Sequence, residues 1–269
     1  MDQRPIGVFD SGVGGLTVVN EIIKAFPDED LIYFGDTARV PYGSKSAETV
    51  TKFSRQIISY LLTKDVKAVV IACSTASSNS FDILAKEFKV PMIEVISPGV
   101  EDCANLTRNK IVGVIGTEAT IRSGKYEEML KEKIPGVTVH SKACPLFVPL
   151  AEEGWTHNTV AHMTADIYLQ ELLDKEIDSL ILGCTHYPLL IDCIRDIVGP
   201  VHIINAAEST ARKLRAFLTE NAMENQEHKS KRRHFYVSDN TRKFSRICNL
   251  ILRQNYEAIK IDIESLYNE

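Results

Sequence analysis

Val69-Val70-Ile71-Ala72-Cys73-Ser74-Thr75 is a short apolar run that ends on a thiol and two hydroxyls. Its β-branched residues suit a strand buried on both faces, and the polar residues after it lead into a helical stretch over residues 76–87. Leu180-Ile181-Leu182-Gly183-Cys184-Thr185-His186 repeats that plan 111 residues later. An earlier pair echoes in the same way. Ile6-Gly7-Val8-Phe9 runs into Asp10-Ser11-Gly12, and 106 residues on Val112-Gly113-Val114-Ile115 runs into Gly116-Thr117. Strands that alternate with helices predict parallel α/β architecture. The doubled pattern predicts two pseudo-symmetric α/β domains, with mostly parallel sheets, facing a shared active-site cleft.

Outward from these runs, strands are expected at 6–9, 31–34, 68–72, 92–94, 111–115, 137–140, 180–182, 202–204, 235–237 and 259–261. Helices are expected at 16–25, 47–62, 76–87, 159–173, 189–197 and 242–252. The chain returns to strand patterning after Asn205, so residues 1–95 plus 208–269 are expected to form one domain around an inserted 96–207.

The composition narrows the function classes. A 269-residue chain with 44% hydrophobic residues can bury a sizeable core, and a net charge of −5 gives no reason to expect nucleic acid or a membrane surface as partner. The basic run Lys229-Ser230-Lys231-Arg232-Arg233 reads as a solvated loop. No leader pattern precedes the strand at Ile6, so a cytoplasmic protein is expected, without an N-terminal extension to house an activator site. The six cysteines are widely spaced without a C-x-x-C, which in a reducing compartment means free thiols.

Two loops at strand ends are rich in functional residue types. Asp10-Ser11-Gly12-Val13-Gly14-Gly15-Leu16-Thr17 joins a strand to a helix start, where glycines permit close approach and free N–H groups favour an anion. A dinucleotide site would use Gly12, Gly14 and Asp36, but Thr17 stands where its third small residue belongs, and Asp10 would oppose a pyrophosphate. A small anionic or zwitterionic ligand fits better. Gly35-Asp36-Thr37-Ala38-Arg39-Val40-Pro41-Tyr42-Gly43 is the second such loop.

The two thiols decide the chemistry. Each stands at a strand end before a helix start, where the helix dipole favours the thiolate and a modest fall from about 8.5 would make the thiol a usable base. Asp10 and His186 are the natural proton partners. A single buried cysteine is usually a small core residue, but two in matching positions of a repeat are expected to act together. Two opposed thiols suit racemisation: one removes an α-proton while the other returns a proton to the opposite face. No Schiff-base lysine pattern marks a pyridoxal phosphate site, and only Cys184 and His186 lie together as metal ligands, so neither cofactor nor metal is expected.

At these residues the chain resembles the glutamate racemases of bacterial cell-wall synthesis, within the aspartate/glutamate racemase superfamily. The matching segments are residues 9–18, 35–43, 72–76 and 116–120, Cys144-Pro145-Leu146 with Glu152-Glu153-Gly154, and residues 183–188. The resemblance implies that Cys73, assisted by Asp10, exchanges the proton on the D-isomer side, and that Cys184, assisted by His186, does so on the L-isomer side. Ser11, Pro41, Tyr42, Gly43, Ser74, Thr75, Thr117, Thr120 and Thr185 would hold the substrate, with Asp36 and Glu152 in support. It also implies a homodimer. The family pattern reads Cys-Asn-Thr-Ala; here Ser74 replaces the asparagine, which predicts weaker binding or a shifted substrate preference. The rival readings are a racemase for another acidic amino acid such as aspartate, a thiol hydrolase, and a non-catalytic amino-acid-binding protein.

Overall fold

The computed structural model describes residues 2–225 and 231–266. The strands are β1 Ile6–Asp10, β2 Leu31–Gly35, β3 Ala68–Ile71, β4 Met92–Glu94, β5 Ile111–Gly116, β6 Thr138–Ala143, β7 Ser179–Gly183, β8 His202–Asn205, β9 Arg233–Val237 and β10 Ala258–Lys260. The helices are α1 Leu16–Ala25, α2 Ala47–Leu62, α3 Ser74–Glu87, α4 Ile96–Leu106, α5 Glu118–Arg122, α6 Lys125–Lys133, α7 Phe147–Glu152, α8 Thr159–Leu173, α9 Ile191–Val198, α10 Ala206–Glu220, α11 Thr241–Leu252 and α12 Ile263–Leu266.

These elements build two parallel sheets. The first has the order β10-β9-β2-β1-β3-β4 and the second β6-β5-β7-β8. All pairings are parallel. The run β2-β1-β3-β4 and the run β6-β5-β7-β8 share one topology, with β1 matching β5 and β3 matching β7. The chain is therefore α/β with a doubled plan, and Cys73 and Cys184 follow equivalent strands.

Side-chain alternation along each central strand covers both faces of its sheet. Ile6 and Val8 of β1 join one core cluster with Leu16 and Ile22 of α1 and Leu214 and Leu218 of α10. Phe9 points the other way, against Ile57 and Leu61 of α2. In the second sheet Val112 and Val114 pack with Leu130 of α6, while Ile115 packs with Leu169 of α8 and Ile194 of α9. Each fully buried Leu or Ile on these faces contributes about 1.5–3 kcal/mol.

Some boundaries differ from the sequence pattern. α3 starts at Ser74, so Cys73 is its N-cap residue and Ser74 and Thr75 lie in its first turn. After Cys184 the chain makes a 3₁₀ turn at Tyr187–Leu190, and α9 begins only at Ile191. The sequence does not mark α4, because Pro98-Gly99 in its first turn imitates a breaker. Proline is tolerated there, and the Glu94 carboxylate accepts from the N–H groups of Ile96 and Ser97.

The basic run is not a free loop over its described part. Lys231 pairs with Asp28 at 3.0 Å, Arg232 with Asp30 at 2.8 Å, and Arg233 opens β9; residues 229 and 230 lie outside the described residues. Fully buried Lys67 donates to Glu29 at 2.6 Å and to the carbonyls of Asp2 and Met223, tying three distant segments together. No helix among the described residues is long and apolar enough to cross a membrane.

Candidate active site

The C-terminal ends of β1, β3 and β7 converge, as the ligand sites of open parallel sheets do. One pocket there is lined by both thiols, Cys73 and Cys184. From the first sheet's side it takes Ser11, the loop residues Pro41, Tyr42 and Gly43, and Ser74 and Thr75. The second side adds Thr117, Glu152, Thr185 and His186. Asp10, Asp36 and Thr120 are buried behind this lining.

Cys73 lies 3.5 Å from the Ser11 hydroxyl, and the N–H groups of Ala76 and Ser11 point at its sulfur. The sequence led us to expect a lowered pKa. The structure reverses that: burial, reinforced by the Asp10 carboxylate, pushes the thiol up to about 12 and outweighs those N–H groups. Asp10 itself is fully buried. Burial raises its pKa, opposed by the His186 charge and by N–H groups including that of Gly12 at 2.9 Å.

Cys184 faces Nδ1 of His186 at 3.8 Å, and Nε2 of His186 lies 3.3 Å from Glu152. Burial would lower the His186 pKa, but the contacts with Cys184 and Glu152 prevail and raise it to about 10. The imidazole is therefore cationic at neutral pH and donates from both nitrogens. The hydrogen bond from His186 holds the Glu152 pKa down to about 2 despite burial, helped by Lys243, whose ammonium lies 2.7 Å from Oε2.

Hydroxyls complete the polar lining. Thr75, Thr117 and Thr120 form a triangle with oxygens 3.0–3.2 Å apart, joining the first turns of α3 and α5. Thr185 donates to Asp10 at 3.2 Å. Asp36 acts on the loop below the pocket: it accepts from Arg39 at 2.8 Å, from Ser238 at 2.8 Å and from the hydroxyl of Tyr42.

The glycine loop also meets a packing need. A Cβ on Gly14 would come within 2.4 Å of the Thr185 hydroxyl and 2.5 Å of His186 Nδ1. Gly14 is bare because the Thr185–His186 loop of the second sheet packs directly on it.

The sequence reading missed three contributors. Val40 and Val148 line the pocket, and Lys243 reaches Glu152 from α11. Val148 could have been found, since it lies one helical turn before Glu152 on the same face of α7. The described residues hold one cluster of metal-capable side chains, away from this site: His157 just before α8, His162 on α8 and Asp196 on α9.

The Asp/Glu/Hydantoin racemase family model matches residues 6–214. The chain belongs to that family. This racemase is 50% identical to a glutamate racemase of Geobacter metallireducens over 253 residues, 94% of each chain. Its structure is similar to that of glutamate racemase from Francisella tularensis in complex with D-glutamate, with 40% identity, a TM-score of 0.92 and coverage of 98% of this chain and 100% of that one. Glutamate racemase RacE1 of Bacillus anthracis gives 36% identity and a TM-score of 0.94, with 97% and 98% covered.

Proposed function

We propose that this racemase interconverts L-glutamate and D-glutamate, with Cys73 and Cys184 as its two acid/base groups and without a cofactor. The observation that carries this reading is the pair of thiols at equivalent ends of β3 and β7, both lining one pocket. In each direction one thiolate takes the α-proton. The electron pair left on Cα delocalises into the α-carboxylate, and the other thiol gives its proton to the opposite face. Cys184 acts on the L-isomer side, where His186 Nδ1 stands 3.8 Å from its sulfur as the proton partner. Cys73 acts on the D-isomer side, where Asp10, its pKa raised by burial, can take the thiol proton.

Ser11, Pro41, Tyr42, Gly43, Ser74, Thr75, Thr117, Thr120 and Thr185 hold the substrate in this scheme, and Asp36 and Glu152 support the site. The relatives named glutamate racemases favour glutamate over aspartate. The product then supplies D-glutamate for peptidoglycan synthesis. Six free thiols suit a cytoplasmic setting. Exposed Val160, Met163 and Ile167 on one face of α8 favour a homodimer. We assign residues 1–95 with 208–269 to one domain and 96–207 to the other; the position of α10 in the first sheet's core agrees with the return of the chain.

The test is incubation with pure L- or D-glutamate in deuterated water. Racemisation with α-deuterium uptake is expected, and Cys73→Ala and Cys184→Ala should each abolish turnover. Full activity in either variant would reject the two-thiol scheme, and activity only on aspartate would reject the substrate.

A further inference from the structure

Ser74 lines the pocket directly beside Cys73, and its hydroxyl is buried. Tyr126, on α6 of the other half, is buried with its ring against Gly183, where an added Cβ would come within 3.0 Å of Cε2. Gly183 is the residue before Cys184. The two hydroxyls come close enough for Ser74 to favour the ionised form of Tyr126, yet neither makes a well-formed hydrogen bond to any described residue. Folded proteins seldom leave a buried hydroxyl unpaired, and here one such hydroxyl belongs to the pocket-lining Ser74 with that of Tyr126 behind it.

We infer that Tyr126 and Ser74 form a relay of hydroxyls that holds a carboxylate of the substrate. The direction of the relay follows from chemistry. Burial, reinforced by the charge of Glu94, raises the Tyr126 pKa, so the phenol stays protonated and donates. A serine oxygen that accepts from the phenol turns its own proton toward the pocket, where it needs an acceptor. A carboxylate oxygen is an acceptor and an ammonium group is not. The N–H groups at the start of α3, which contains Ser74, favour the same negative charge. Tyr126 is thus a positioning residue for binding, acting through Ser74. This assignment rests on the glutamate reading above.

The test is Tyr126→Phe, which removes one oxygen and keeps the ring. If the hydroxyl were merely an unpaired buried group, its loss would leave kinetics unchanged and raise the melting temperature. The relay predicts that KM for both enantiomers rises about threefold to tenfold while kcat stays within about twofold. Because the equilibrium constant of racemisation is one, kcat/KM must fall by the same factor in both directions. The melting temperature without substrate should hold or rise, whereas its increase on adding D-glutamate should shrink. Ser74→Ala should raise KM similarly, and the double variant should add little more. Unchanged KM in Tyr126→Phe, with a wild type that racemises glutamate, would overturn the relay and leave the function standing. A wild type inert toward glutamate would reject both.

Discussion

Glu152 Oε1 lies 3.3 Å from Nε2 of His186, so the imidazole is gripped on one nitrogen by a carboxylate while the other faces the Cys184 sulfur. The contact with Cys184 first, and the grip of Glu152 second, outweigh burial and raise the His186 pKa to about 10.

Glu152→Gln should lower the His186 pKa and move the alkaline limb of the kcat/KM profile to lower pH. A hydrogen bond to a charged group is worth about 1.5–3 kcal/mol, and partial exposure of Glu152 trims this, so the alkaline limb should move down by about one pH unit. Profiles of wild type and variant that superimpose would contradict the role of Glu152.

The same pair sets a pH window for stability. The His186 pKa is raised above about 6.5, so its contribution is complete below that value and is lost as pH rises through about 10. The Glu152 pKa is depressed below about 4.5, so its contribution is present above that value and lost as pH falls through about 2. Melting temperatures measured across pH should fall at both ends, and less steeply in Glu152→Gln. Equal slopes for the two proteins would dissociate the pair from stability.

Gly14→Ala places a methyl group against Thr185 and His186. Overpacking costs about 1–3 kcal/mol, and here it acts at the contact that sets the Thr185–His186 loop on the first sheet. The expected result is a folded protein whose kcat/KM is down roughly tenfold to hundredfold. Wild-type kinetics would show that the contact yields easily.

Lys67→Met should destabilise the protein by about 3–5 kcal/mol, because it leaves the buried Glu29 carboxylate without its cation. Denaturant unfolding reads this directly. A loss under about 1 kcal/mol would mean that Glu29 finds other partners.

Ser74→Asn restores the amide of the family pattern beside Cys73. A change in KM of about threefold or more, in either direction, is expected from glutamate kinetics. Kinetics identical to wild type would show that position 74 does not touch the substrate.

How far the sequence could be read follows from the range of each interaction. The strands were legible because β1, β3, β5 and β7 are apolar on both faces, and the duplicated strand-then-thiol pattern announced which loops meet. Helix α4 was hidden by a local imitation, a Pro-Gly pair that suits a turn as well as a first helical turn. The pKa of Cys73 was misjudged because helix-start N–H groups are visible in a sequence while burial and the approach of Asp10 are not. Lys243 and Glu152 are separated by 91 positions, and Tyr126 and Ser74 sit in different halves. No periodicity connects such partners; only the folded apposition of the two sheets does.

The matched strand orders β2-β1-β3-β4 and β6-β5-β7-β8 carry one more consequence. Each unit brings one thiol, so a chain of half this length would own half a site, and two copies related by a twofold axis would rebuild the whole. A reaction whose substrate and product are mirror images needs equivalent chemistry from its left and its right. A chain with this doubled plan brings two versions of one part to the pocket, and they differ in the neighbour of the thiol, Asp10 on one side and His186 on the other.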